Sequence, residues 1–276
     1  MNLSIAAAAP EAHVVEIPVI GLRLRAVAHA QLMQAEVHLA SAGEARHVGI
    51  HQARKCVRRV RAMLALGMRK LDRRAKRLDA HLAQLCRGMS RLRDAQALIE
   101  ALQRLGDNAP DDVRAILPDA EAAARERRDG LLAQALARDP DFHSRRRRLR
   151  AMGERLLRLD WQLIGHAEIV RAILRSEHRV EKAGRKARRH PDRDHEWHVF
   201  RRRLRRLRQQ DTVLAGLQPE LRPTMQGLED QAGALGEAQD DALLLMHCGR
   251  ASPFQRTQRA SLRRIARGRL QHARRG

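Results

Sequence analysis

Two stretches of the sequence carry the same cationic pattern. His51, Arg54, Arg58, Arg59 and Arg61 stand at intervals 0, +3, +7, +8 and +10, and His198, Arg201, Arg205, Arg206 and Arg208 repeat those intervals. Lys55 and Arg202 each follow the first arginine of a copy. Val57 and Val60 in one copy, and Leu204 and Leu207 in the other, hold the +6 and +9 places. On a helix turning about 100° per residue, positions 0, +3, +7 and +10 fall within a sector of about 80°. Each copy therefore predicts a ladder of cations about 15 Å long on one helix face. Behind the first ladder lie Ala53, Cys56, Val57, Val60, Met63 and Leu64; behind the second lie Phe200, Leu204, Leu207 and Leu214. A solvated helix face usually mixes signs and gains from i,i+4 opposite pairs. These faces contain no acid, so their charges repel until an anion arrives. Guanidinium forks bind phosphate bidentately, and a row of them suits a chain of phosphates.

A second element recurs downstream. Leu92-Arg93-Asp94 has a counterpart in Leu235 to Asp240; Asp94 follows His51 by 43 residues and Asp240 follows His198 by 42. Both aspartates stand near predicted helix starts. Their chemistry is either capping and dipole pairing or a salt bridge to a motif arginine that holds its ladder in place. His195 and His198 are spaced i and i+3 with no third ligand nearby, which disfavours a zinc site, and no catalytic or metal-ligating residue is assigned. Walker A, G-x-S-x-G, H-E-x-x-H and R-H-G signatures are all missing. The motif histidines could serve as phosphohistidine nucleophiles, but no acid stands beside them in sequence to orient them. Binding is the favoured role.

The whole composition points the same way. Lys+Arg is 55 against Asp+Glu 32, a net charge of +23 in 276 residues, which calls for a polyanionic partner. A hydrophobic share of 43% nevertheless suffices for a folded core. Recognition of single-stranded nucleic acid usually adds aromatic platforms, and the chain has only Phe142, Trp161, Trp197, Phe200 and Phe254. Duplex DNA remains open through phosphate contacts alone. The charge therefore fits a phosphate polymer without bases, or, as the alternative, a nucleic-acid-binding or architectural protein. A third possibility is a granule adaptor for which binding is only docking. Three scattered cysteines make no disulfide framework, Met1 to Val19 is a poor signal peptide, and no apolar run reaches about 18 residues. The expectation is a soluble cytoplasmic protein that contacts no membrane.

Helix signals dominate the elements that must position these ladders. Apolar residues recur at three- and four-residue spacing, β-branched residues are sparse, and Pro and Gly punctuate rather than repeat. Helices are predicted at about 20–41, 46–66, 69–87, 90–105, 111–138, 142–188, 194–215, 221–235 and 237–248, the long ones open to breaks. After Asp241 there is no acid but nine arginines, which predicts a basic arm or weak helix. Two copies of one helical unit are expected.

The pattern H-x-x-R-x-x-x-R-R-x-R, present twice and followed each time by the aspartate element, resembles the CHAD domain, the conserved histidine α-helical domain, over about residues 18–250. That resemblance implies an all-α fold of two pseudo-symmetric four-helix bundles with a basic central groove. It divides the chain into an N-terminal tail (1–17), a first bundle repeat (18–140), a second (141–250) and a basic tail (251–276). It implies non-catalytic binding of inorganic polyphosphate, without a cofactor, and association with polyphosphate granules. The ligand contacts it implies are His51, Arg54, Arg58, Arg61, His198, Arg201, Arg205 and Arg208, flanked by Lys55, Arg59, Arg202 and Arg206. Family second copies often carry lysine where Arg205 stands and tyrosine where Gln209 stands; here the charge is kept and the packing differs. Some members are fused to a triphosphate-hydrolysing domain with an E-x-E-x-K start. No such motif occurs, so a stand-alone module is expected.

Overall fold

The structure, a computed structural model, describes residues 20–107 and 109–275. The expected N-terminal tail, 1–17, lies outside them. Among the described residues the fold is all-α: α1 (Ile20–Leu39), α2 (Ala45–Gly67), α3 (Arg73–Gly88), α4 (Ser90–Gly106), α5 (Asp111–Arg114), α6 (Leu117–Arg138), α7 (His143–Leu157), α8 (His166–Arg189), α9 (Asp194–Leu217), α10 (Leu228–His247) and α11 (Arg256–Arg275). No helix among them is long and apolar enough to cross a membrane.

Several expectations are revised, among them the helix predicted over 111–138, which is two, α5 and α6. The segment 142–188 is two helices, parted where Trp161 is wholly buried and its Nε1 donates to the Leu156 carbonyl at 2.9 Å. The start of α1 is pressed onto this break. A Cβ at Gly21 would stand 1.8 Å from the Trp161 carbonyl oxygen, so only glycine fits. The two helices predicted at 221–235 and 237–248 are one, α10, running unbroken through Gly236. It starts late because Glu177 latches the preceding loop, accepting from Thr224 N at 2.6 Å, Thr224 Oγ1 at 3.0 Å and Met225 N at 3.0 Å.

The basic tail, expected as an arm or a weak helix, is helical. Residues 256–275 form α11, which buries Leu262, Ala266 and Leu270, spaced four apart, the first two in a core shared with α4, α6 and α10. Carboxylates elsewhere in the fold neutralise part of its outer face: Arg264 pairs with Asp112 at 2.6 Å and Arg274 with Asp194 at 2.6 Å. Those acids are distant in sequence, which is why the segment itself gave no sign of what holds its helix to the fold.

Helix pairing sets the positions of the two ladders. α1 packs on α2 and α7, α8 on α9, α4 on α6, and α10 on α11. Across the middle α2 lies against α9, and α4 against α10. Every apolar residue expected behind the two ladders is buried, from Ala53 to Leu64 on α2 and from Phe200 to Leu214 on α9. Gln210, fully buried, ties the two helices by donating to the Ala62 carbonyl at 3.2 Å. The two amphipathic helices thus share a core and turn their cations the same way.

If α11 is part of the fold, Leu262→Ala should lower unfolding stability by about 2–4 kcal/mol. Limited trypsin treatment should spare the arginine-rich segment after Arg250 in the native protein and trim it in Leu262→Asp. Equal trimming of both would return the segment to a free arm.

Candidate functional site

Helix α2 presents Arg54 and Arg58, and α9 presents Arg201 and Arg205, to a common space that α4 closes with Arg93. The charges acting on Arg205 are those of Arg58, Arg201, Arg54 and Arg93, and those acting on Arg58 include Arg54, Arg93 and Arg201. Five guanidinium groups from three helices therefore converge. The first arginine of each ladder is pinned. Arg54 donates to the Cys86 carbonyl and to Ser90 Oγ at 3.2 Å, while Arg201 Nε donates to the Leu235 carbonyl at 3.1 Å.

Arg58 and Arg205 are not pinned. Neither has a hydrogen bond or an ion pair among the described residues, and Arg58 Nε is sealed from solvent without a partner. Burial first, then the neighbouring arginines, pushes Arg58 down to about 10 and Arg205 to about 9. Both remain cations at neutral pH. A charge held this way is costly unless an opposite charge joins it.

The outer rungs behave differently. Arg61 grips Asp79 of α3 with both prongs, at 2.7 and 3.1 Å, and Arg208 is ion-paired with Glu229 of α10. The ladders lack acids in their own sequence, yet neighbouring helices supply them at this end and leave the centre bare. Arg59 turns away and meets Gln31 of α1 at 3.4 Å. Arg206 lies beside Arg61 and Asp79, and Lys55 and Arg202 are exposed.

The histidines stand at the other end of the ladders. Burial, then Arg58, Arg93 and Lys55, holds His51 below its usual range, with Glu100 opposing. His198 is likewise lowered by burial and by Arg202, Arg201 and Arg205, against the opposing effect of Gln239, whose Oε1 lies 3.5 Å from His198 Nδ1.

Asp94 and Asp240 do not ion-pair with a motif arginine. Asp94 reaches its own neighbour Arg93 at 3.7 Å. Asp240, on α10, pairs with Arg104 at 2.6 Å and Arg93 at 3.9 Å, both on α4. The aspartates therefore hold Arg93 and the α4–α10 contact rather than the ladders themselves. Burial pushes the Asp94 carboxyl up against the pull of Arg93, Arg54 and Arg201.

Arg93 is the residue that sequence reasoning passed over. Its signal was the Arg-Asp pair itself, overlooked because the second copy has Gln239-Asp240 in its place. Among the described residues no three His, Cys, Asp or Glu side chains gather as a metal site.

A family model described as the CHAD domain matches residues 26–249. Among solved structures, PptA from Streptomyces chartreusis is similar: identity is 20%, the TM-score is 0.60, and the match covers 93% of this chain and 99% of that one. At that identity the likeness speaks for the fold alone. No curated protein matches. α11 falls beyond the family span.

The ligand-free centre should be destabilising. Arg58→Gln with Arg205→Gln should raise stability by about 1 kcal/mol, seen as about 2–4 °C in Tm for a protein of this size. Arg61→Gln should do the reverse, costing about 1–3 kcal/mol by leaving Asp79 without its partner. A double variant less stable than wild type would mean that the two central charges are compensated.

Proposed function

The chain belongs to the CHAD domain family, and from that premise we propose that it binds inorganic polyphosphate between α2 and α9 without catalysing a reaction on it. The observation that carries this reading is the Arg58–Arg205 pair, two partly buried cations with no acid of their own. A phosphate chain would supply the missing charge to both at once, in bidentate contacts that Arg54, Arg93 and Arg201 are placed to extend. Their pinned forks are oriented before ligand arrives, which lowers the ordering cost of binding.

The aromatic residues favour phosphate over bases. Phe142, Trp161, Phe200 and Phe254 are buried. Trp197 donates Nε1 to the Pro191 carbonyl at 3.0 Å and lies 6.3 Å from the Phe200 ring under Arg274, so it is engaged in packing. No aromatic face among the described residues is left in the groove for stacking. A nucleophilic role for His51 or His198 lacks support, since neither is hydrogen-bonded to a carboxylate that would orient it. In a cell containing polyphosphate granules, the same contacts would dock the protein on them.

The direct test is binding of long-chain polyphosphate to wild type, to Arg58→Gln with Arg205→Gln, and to Arg256→Gln with Arg267→Gln on the exposed face of α11. The central pair should lose about a hundredfold or more in affinity, as two charged contacts at roughly tenfold each would give, while the α11 pair should change about twofold. Equal losses would reduce the interaction to diffuse attraction.

Binding should also depend on pH with a definite sign. His51 and His198 are held low in the free protein, and a bound polyanion would raise them. The complex then takes up protons, so affinity rises as pH falls from 8 to 6. His51→Gln with His198→Gln should flatten that limb. Long chains are the proper ligand, because terminal phosphates of short ones titrate in the same range. An acid limb unchanged in the histidine variant would remove both histidines from the ligand contacts.

A further inference from the structure

α11 lies outside the residues that the family model matches, yet its last turn reaches the start of α9, just ahead of His198. Arg274 makes three contacts there. Its guanidinium pairs with Asp194, the first residue of α9, at 2.6 Å, donates to the Pro191 carbonyl at 3.3 Å, and lies 5.8 Å from the centre of the Trp197 ring. Trp197 Nε1 donates to the same Pro191 carbonyl at 3.0 Å, so a guanidinium and an indole together fasten the turn that enters α9. The Arg274 side chain is 12% exposed, which sets it apart from the solvated pairs that contribute little.

α11 also holds the neighbouring wall. Five residues earlier, about 7.5 Å along the helix, Arg269 Nε pairs with Asp241 of α10 at 3.2 Å. Asp241 follows Asp240, which anchors Arg104 and Arg93 of α4. Gln239, one residue before, places its Oε1 3.5 Å from His198 Nδ1. α11 thus grips α9 and α10 on either side of the gap that His198 bridges. The first ladder is tied in a similar way, but from within the family span: Arg46 of α2 pairs with Asp141 at 3.0 Å and lies 5.8 Å from the centre of the Phe142 ring.

We infer that Arg274 is a positioning residue of the second ladder, fixing the start of α9 against α10 so that His198 is presented in line with Arg201 and Arg205. The inference rests on the proposed polyphosphate binding. Arg274 acts through geometry rather than through its field, since neither it nor Asp194 is among the groups whose charge bears on His198, Arg201 or Arg205.

The test titrates long-chain polyphosphate into wild type, Arg274→Gln and Asp194→Asn at one ionic strength, with melting curves verifying that each is folded. Arg274→Gln should lose about fivefold in affinity, as for one hydrogen bond of a charged group, while Arg267→Gln on the exposed face of the same helix stays within about twofold. Asp194→Asn separates geometry from charge. It removes an acid, so charge alone would tighten binding of a polyanion, whereas the brace requires a loss of about threefold. The effect should also be local: Arg274→Gln should cost less than about twofold once His198→Gln is present, and its full factor beside His51→Gln. Unchanged or tighter binding by Asp194→Asn, or an equal cost of Arg274→Gln in both histidine backgrounds, would overturn the positioning role while leaving the central site standing. A loss in Arg274→Gln matched by Arg267→Gln would overturn it in favour of general charge. Wild-type protein that binds no polyphosphate would refute the functional reading, and this inference with it.

Discussion

The apolar faces of α2 and α9 are buried against a common core only by bringing Arg58 and Arg205 within range of each other's charge. Val57 and Val60 on one helix, and Leu204 and Leu207 on the other, are wholly buried. The +7 arginine of each motif lies on the other side of its helix from those apolar positions, yet each is half-buried where α2 packs on α9. Burial of the side chains, at about 25 cal/mol per Å² of apolar surface, opposes the repulsion. The resulting centre is under electrostatic load before any ligand arrives. On the proposed reading that load draws in an anion, since a polyanion would relieve it where a neutral molecule would not.

The placement of acids sharpens this. Few carboxylates are available for so many cations, and they are not spread evenly. Asp79 and Glu229 close the last rungs of the two ladders, and Asp240 anchors Arg104 and Arg93 across the α4–α10 contact. Asp194 and Asp112 tie α11 to the rest of the fold. The acids stabilise the perimeter and the helix contacts, and the space shared by α2, α4 and α9 is left with more cations than acids, Asp94 being the acid beside Arg93, Arg54 and Arg201. Arg54 and Arg201 are held by backbone carbonyls, which orient a guanidinium without neutralising it.

Much of this was legible from residue spacing. The repeated intervals located α2 and α9 and sorted their faces, because a helical period of about 3.6 separates the apolar side from the cationic side within one segment. What escaped was decided by partners far along the chain. The break between α7 and α8 depends on Gly21 admitting the Trp161 carbonyl, and the length of α10 on Glu177 holding its entry loop. α11 was hidden because its acidic partners, Asp112 and Asp194, lie in other helices. Arg59 carries the same charge as Arg58, yet one residue of helical rotation sends it toward Gln31. Arg93 sat in plain sight beside Asp94, but its inward aim is a property of α4 packing between α2 and α10.

If the bare centre between α2 and α9 is a phosphate-chain site rather than a generally basic surface, competition discriminates most directly. Protein loaded with labelled long-chain polyphosphate is challenged with duplex DNA in large excess of phosphate equivalents, at moderate salt that screens diffuse attraction beyond about 10 Å. Retention of the polyphosphate is the predicted result, because duplex phosphates lie on a wide cylinder that cannot follow the arginines into the groove. Displacement of polyphosphate in proportion to DNA charge would contradict the account.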